Sequence, residues 1–347
     1  PVCFSVCSTG QLFMPPPEAS VLPWPGRPGV TPDHGILGHS DALRRALEHL
    51  HRVADTDATV LLRGESGTGK ERFAQLLHRC STRHGGAFVA INCAALPDTL
   101  LESELFGHER GAFTGATGRR AGCFEQAHGG TLLLDEVGEM SATLQSKLLR
   151  VLETGTVRRL GAAGEVRVSV RIVAATHQDL VRLVGQGRFR PDLFYRLNVF
   201  PVPLPPLRER DGDITILARH FVALSNREYQ RAVTLHRDAE SRLERYGWPG
   251  NVRQLENVIR RLVLSAPPDG VGAQAVAQAL SQEGEQGPSA PENATARVYR
   301  RVDGAERPRL LAALRHAGGN KARAARELGM SARQFRYRLD KLDVARP

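Results

Sequence analysis

Hydrophobic and polar positions along this chain fall into stretches of different texture. Residues 1–34 carry eight prolines and no periodic apolar pattern. Proline lacks a backbone donor and has a fixed φ, so this stretch predicts an extended linker. Helical spacing begins after Gly35, with Leu43, Leu47 and Leu50 on one face. Short apolar runs at 59–63, 87–92, 131–134, 171–175 and 199–203 then alternate with helical segments. That alternation predicts a parallel sheet with helices on both faces, an α/β fold. Residues 213–264 read as helix only, and 281–295 hold almost no large apolar side chain, as in a linker. A last helical module runs over about 306–342.

Composition narrows the class. The 347 residues are 41% hydrophobic and 24% charged, ordinary for a soluble chain of about two domains. No apolar run is long enough for a membrane-spanning helix, and no membrane partner is expected. Aromatic content is 5%, which argues against a stacking platform for single strands. The cysteines, Cys3, Cys7, Cys80, Cys93 and Cys123, form no C-x-x-C pair. They predict free thiols in a reducing, cytoplasmic setting. The net charge is +10, and the segment 291–347, with fourteen Lys/Arg and six Asp/Glu, carries +8 of it. A basic end on a nearly neutral body predicts a nucleic-acid contact there. The chain opens on Pro1 rather than Met, so the expectation is a fragment or processed product.

The run at 59–63 leads into Gly64-Glu65-Ser66-Gly67-Thr68-Gly69-Lys70-Glu71. In a strand-loop-helix context this is a phosphate cradle. Glycines let backbone N–H groups point inward, Lys70 adds a charge, and the following helix offers its N-terminus. Glu71 stands where a hydroxyl usually touches magnesium. The run 131–134 ends in Asp135-Glu136. Unpaired buried charge is costly, so a buried strand rarely ends this way for packing alone. Asp135 is placed to hold magnesium, directly or through water, and Glu136 to polarise the attacking water. The run 171–175 ends in Thr176-His177, where a polar side chain can sense a γ-phosphate. ATP and magnesium are the expected ligands.

Between these motifs lies Gly111-Ala112-Phe113-Thr114-Gly115-Ala116. Its chemistry is that of a mobile, glycine-flanked loop exposing an aromatic ring and a hydroxyl to a partner. With this hexapeptide the chain resembles the bacterial enhancer-binding activators of sigma-54 RNA polymerase, which are AAA+ ATPases. The resemblance covers about residues 35–342. It implies that the loop contacts the sigma factor and moves with ATP hydrolysis. It also implies that Glu71 is the family's own form of the phosphate loop. Asn92 would hydrogen-bond Glu136 and relay the state of the γ-phosphate. Arg190 and Arg196 would reach the ATP of a neighbouring subunit in a ring, typically a hexamer. The segment 248–256 resembles the lid-helix motif, with Arg253 touching the γ-phosphate in cis. His177 departs from the asparagine often found at the sensor position. The implied domains are a linker (1–34), an α/β ATPase subdomain (35–210), a helical lid (211–280), a flexible linker (281–304) and a DNA-binding domain (305–347).

The last module reads as helix, tight turn, helix. Ala324 and Ala325 permit close packing, Gly329 suits a left-handed turn, and Ser331 can cap the next helix. Phe335, Leu339 and Leu342 form a buried stripe. Ser331, Arg333, Gln334, Arg336, Tyr337 and Arg338 are the expected DNA contacts, suited to a major groove. The module resembles the Fis-type domain that ends many members of that family. Together these imply an activator that binds upstream double-stranded DNA and uses ATP to convert the sigma-54 polymerase closed complex to an open one. Two other readings stay open: a DNA-binding regulator whose AAA+ domain does not act through sigma-54, and a member of the nitrogen-fixation subgroup. A sensor in a preceding part of the protein is also expected.

Overall fold

The computed structural model describes residues 35–113, 116, 118–267 and 270–286, with 312–317, 320 and 324 further on. The proline-rich stretch 1–34, the linker residues 287–304 and the DNA contacts from Ser331 to Arg338 lie outside the described residues. The chain divides into two compact units, residues 1–281 and 282–347.

The described strands are β1 (Val60–Arg63), β2 (Phe88–Asn92), β3 (Gly107–His108), β4 (Arg120–Ala121), β5 (Thr131–Asp135), β6 (Thr156–Val157), β7 (Val166–Arg167), β8 (Arg171–Thr176) and β9 (Phe200–Pro203). Helices α1 (Asp41–Ala54), α2 (Lys70–Arg79), α3 (Asp98–Phe106), α4 (Cys123–Gln126), α5 (Ala142–Thr154), α6 (Leu180–Gly185) and α7 (Pro191–Leu197) are interleaved with them. Then come α8 (Asp213–Tyr229), α9 (Arg237–Glu244), α10 (Asn251–Ser265) and α11 (Ala273–Gln286).

Five strands form one parallel sheet in the order β2-β5-β8-β1-β9. Side chains alternate across it with period two. Leu61, Leu132, Leu134, Ile172 and Ala174 face α3 to α7 through Leu101, Leu105, Phe124, Leu148 and Leu193. Val60, Leu62, Leu133, Val173 and Ala175 face α1 and α2 through Leu43, Leu50, Phe73 and Leu77. Both faces are covered, which is why these runs are apolar at successive positions. Arg171, at the start of β8, is buried and donates to the last carbonyls of α1, Ala54 O at 2.7 Å and Val53 O at 2.8 Å. It thereby satisfies two acceptors that a helix end leaves open.

Helices α8 to α11 enclose a separate core around Trp248, whose ring is fully buried and donates from Nε1 to Leu243 O at 2.9 Å. Asp213, also fully buried, joins this helical part to the segment before α1. It accepts from His39 N at 2.7 Å, Ser40 N at 3.0 Å, Ser40 Oγ at 2.9 Å and Arg210 Nε at 2.9 Å. α11 runs to Gln286, so residues 281–286, expected as linker, are helical. Val276, Ala279 and Leu280 dock the helix in the core, and extending a formed helix costs little. In the second unit residues 312–316 are helical, and Ala313, Ala317 and Ala324 are buried.

Asp213→Ala strips the buried Arg210 of its counter-charge. Such a loss costs about 3–5 kcal/mol, and a lower midpoint in chemical denaturation is the expected result.

Candidate nucleotide site and the adjoining loop

β1 runs directly into residues 64–69, and α2 starts at Lys70. Gly67 and Gly69 have φ of 79° and 96°, a region glycine enters without strain. Lys70 is buried, and its Nζ donates to Gly64 O at 3.1 Å and Glu65 O at 3.5 Å. Thr68 donates from Oγ1 to Glu65 O at 2.9 Å, closing the loop on itself. Glu71 sits in the first turn of α2, where its carboxylate accepts from Gln75 Nε2 at 3.2 Å.

β8 lies between β1 and β5, so Asp135 and Glu136 arrive at the same sheet edge as the loop. At ordinary strand spacing the two ends are about 10 Å apart, within reach of a nucleotide's phosphates and of the Lys70 side chain. Lys70 Nζ lies 3.3 Å from Glu136 Oε1. Glu136 holds a left-handed backbone, φ 54°, that turns its carboxylate back over the edge. Asp135 is half-buried, and its Oδ1 accepts from Glu136 N at 3.1 Å. Burial, and then the Glu136 charge, raise its pKa against the pull of Lys70. For Glu136, burial pushes upward, but the His177 hydrogen bond and the Lys70 charge outweigh it and the pKa falls.

No cluster of three or more His, Cys, Asp or Glu able to hold a metal exists among the described residues. Magnesium is typically held by one or two carboxylates together with substrate phosphates and water, and Asp135 is the residue at this edge that could hold it.

Two sensor residues make contacts other than those expected. Asn92 lies beside Asp135 in register, yet its Oδ1 accepts from Ala94 N at 2.8 Å instead of bonding Glu136. An asparagine leaving a strand readily forms this local turn. His177 holds Glu136 instead, with Nδ1 at 2.6 Å and its backbone N–H at 3.2 Å from Oε2. Thr176 ends β8 beside Arg63 and is buried, and its Oγ1 accepts from Gln178 N at 3.0 Å.

The helical part closes the site from the other side. Arg253 Nη1 donates to Ser66 Oγ at 3.4 Å, and Val252 N to Gly67 O at 3.0 Å. Two residues here were given no role in the sequence reading. Arg208 pairs through both nitrogens with Glu65, at 2.7 Å and 2.9 Å. Asn251, fully buried with φ 52°, donates to Glu65 Oε2 at 3.1 Å and Ser66 O at 3.0 Å. The available signal was Gly250-Asn251, a turn in which asparagine tolerates the left-handed region.

Arg196 is on α7, and Arg190 stands just before its first residue. Arg190 pairs with Asp192 at 2.6 Å, and Arg196 donates to Leu152 O at 2.8 Å. Both are exposed, beside the exposed Tyr195.

The hexapeptide loop rises from the antiparallel pair β3 and β4. Phe113 is 40% exposed, with its ring against His108 at 5.1 Å. Gly111 N donates to Ala116 O at 2.9 Å, and Ala112 packs beside Gly161. Thr114 and Gly115 lie outside the described residues. At the loop's base the nearly buried Arg159, another residue the sequence did not single out, bridges Glu109 at 2.9 Å and Glu125 at 2.7 Å. Cys80, Cys93 and Cys123 form no disulfide among the described residues, and burial pushes Cys123 up to about 11.

Comparison with known proteins agrees with this arrangement. Residues 36–203 match the sigma-54 interaction domain, 208–293 an AAA+ ATPase lid domain, and 302–342 the Fis family of bacterial regulatory proteins. The chain is 44% identical over 337 residues to the DNA-binding transcriptional regulator NtrC of Azospirillum brasilense, covering 89% of this chain and 69% of that protein. The chain belongs to the sigma-54 enhancer-binding proteins. Among other members of this family, the Nif-specific regulatory protein of Azotobacter vinelandii is 48% identical over 310 residues. That match covers 89% of this chain and 59% of the relative, so the chain spans less than two thirds of that protein's length. A crystal structure of NtrX from Brucella abortus in complex with ATP superposes with a TM-score of 0.65 at 33% identity, covering 89% of this chain and 69% of that one. The α/β sheet with its helical partner is thus the AAA+ P-loop NTPase fold with its lid.

A Cβ on Gly67 would lie 2.2 Å from Gly250 O. Gly67→Ala must push the lid off the phosphate loop at a strain of about 1–3 kcal/mol, and about tenfold weaker binding of an ATP analogue is expected in a titration. Acid sensitivity also follows. The Arg208 bond lowers the pKa of Glu65, and the Arg159 bond lowers that of Glu125. Their stabilisation is complete above the unfolded carboxylate value of about 4.3 and is lost as pH falls from there through the lowered folded values. Arg159→Gln flattens this acid limb when melting temperature is followed from pH 6 to 3.

Proposed function

We propose that this protein hydrolyses ATP and uses the cycle to remodel sigma-54 RNA polymerase at a promoter, from a closed to an open complex. The observation that carries the reading is the path between the two sites. β2 ends at Asn92, in register with Asp135, and a single helix, α3, leads from there to β3 and the hexapeptide loop. A shift at the phosphate edge therefore has a short rigid lever to Phe113.

In this reading Lys70 and the loop amides bind the phosphates, and Asp135 holds magnesium with the phosphate oxygens. Magnesium, when bound, neutralises charge developing on the transferred phosphoryl group. Glu136 orients and polarises the attacking water once it is released from Lys70 and His177. Arg253 meets the γ-phosphate from the lid. Arg190 and Arg196 serve the nucleotide of a neighbouring copy in a ring, which accords with their exposure and with contacts to Asp192 and Leu152 rather than to this chain's own phosphate loop. Arginines supplied in this way are worth about 10³–10⁵ in turnover. The Fis-type match supports binding to double-stranded DNA through Ser331, Arg333, Gln334, Arg336, Tyr337 and Arg338. A cytoplasmic setting accords with DNA as target, and no helix among the described residues is long and apolar enough to cross a membrane. The Nif-specific relatives make nitrogen-fixation promoters the first to try.

Open-complex formation at a sigma-54 promoter tests the reading, with purified protein and ATP. Wild type is expected to open the promoter. Thr114→Ala is expected to keep ATP turnover and fail to open it. Glu136→Gln is expected to bind ATP and lose hydrolysis by about 10²-fold or more, the usual scale for a positioned base. Hydrolysis at the wild-type rate in Glu136→Gln removes that residue from the chemistry. Promoter opening by Thr114→Ala removes the loop from the coupling.

A further inference from the structure

The phosphate loop carries a carboxylate, Glu65, beside the place a polyanion would occupy. Left alone, that charge would repel the ligand. Both of its oxygens are engaged by the lid: Arg208 takes them as a fork at 2.7 Å and 2.9 Å, and Asn251 Nδ2 adds a third bond at 3.1 Å. Asn251 also donates to Ser66 O at 3.0 Å and accepts from Leu207 N at 2.7 Å, so one buried amide spans the loop and both ends of the lid's attachment. Backbone contact runs parallel to this, from Val252 N to Gly67 O at 3.0 Å. One residue on, Arg253 reaches Ser66 Oγ at 3.4 Å. The side chains of Glu65 and Arg208 are 43% and 46% exposed, so the core does not require their pairing.

The geometry points to Glu65 as a positioning residue for hydrolysis: through Arg208 and Asn251 it locks the lid onto the phosphate loop and so aims Arg253. The inference rests on the ATPase reading above. A carboxylate is required because all three donors converge on it. An amide at this position would turn an N–H toward Arg208 or Asn251, a donor facing a donor. The charge pair also offers a discriminating sign. If Glu65 acted on ATP only through its charge, its removal would tighten ATP binding and leave kcat alone. If it positions the lid, its removal lowers kcat although a repulsive charge has gone.

The test is a double-mutant cycle in the full chain. Turnover and KM for ATP are measured for wild type, Glu65→Gln, Arg253→Ala and the pair, with Arg208→Gln as a second way to break the same contact. Glu65→Gln and Arg208→Gln are each expected to lower kcat by about tenfold, the scale of one lost charge-assisted pair, with a smaller change in KM. The double Glu65→Gln, Arg253→Ala variant is expected to be no slower than Arg253→Ala alone, because both substitutions remove one function. Losses that multiply in the cycle overturn the proposal. So does tighter ATP binding with kcat intact, or a lower melting temperature with kcat and KM unchanged. Should wild type itself fail to hydrolyse ATP, the proposed function falls and this inference falls with it.

Discussion

A buried ammonium at the end of a parallel sheet must find compensation, and the architecture around Lys70 supplies it. Its stem is held under the loop it serves, its charge is met by loop carbonyls, and Glu136 arrives from two strands away. That meeting requires β8 to be threaded between β1 and β5, which is the sheet order found. A phosphate group would be a stronger partner for Lys70 than either carbonyl. The same cation thus anchors the loop and keeps the position where phosphate binds electrically positive.

Glu136 is held here by three contacts, one from Lys70 and two from His177, in a left-handed backbone conformation. Such a residue persists only where its surroundings over-determine it, and strain of this kind clusters at functional sites. Asp135 beside it experiences the opposite balance, with burial and a like charge raising its pKa. Two adjacent carboxylates therefore have different electrostatic environments, consistent with different tasks for them.

The lid and the hexapeptide loop are fastened by a common device, a guanidinium held between elements distant in sequence. Arg208 ties the lid to the phosphate loop through Glu65, and Arg159 ties the hairpin of β6 and β7 to the base of the loop through Glu109 and Glu125. Forked, charge-assisted contacts of this type fix direction as well as distance. Parts that move in a cycle are better joined by such contacts than by a packed core, since they can break and re-form without opening apolar surface to water.

Local periodicity was enough to locate the five strands of the parallel sheet, though not the two-residue strands β3, β4, β6 and β7, because a strand buried on both faces is largely apolar, as runs such as 131–134 and 171–175 are. The phosphate loop, Asp135 and Glu136 were equally plain, since their chemistry depends on residues adjacent in the chain. Side-chain partners were not legible in this way. Asn92 was expected on Glu136, but a local turn claimed its oxygen and His177 took its place. Thr176 was expected to sense a γ-phosphate, but it is buried like the rest of its strand, with its hydroxyl bonded to Gln178 N. Arg208, Asn251 and Arg159 had no visible role because their partners lie 34 to 186 residues away. Contacts of that separation depend on how the sheet is threaded and where the lid comes to rest, and those are settled only when the whole core packs.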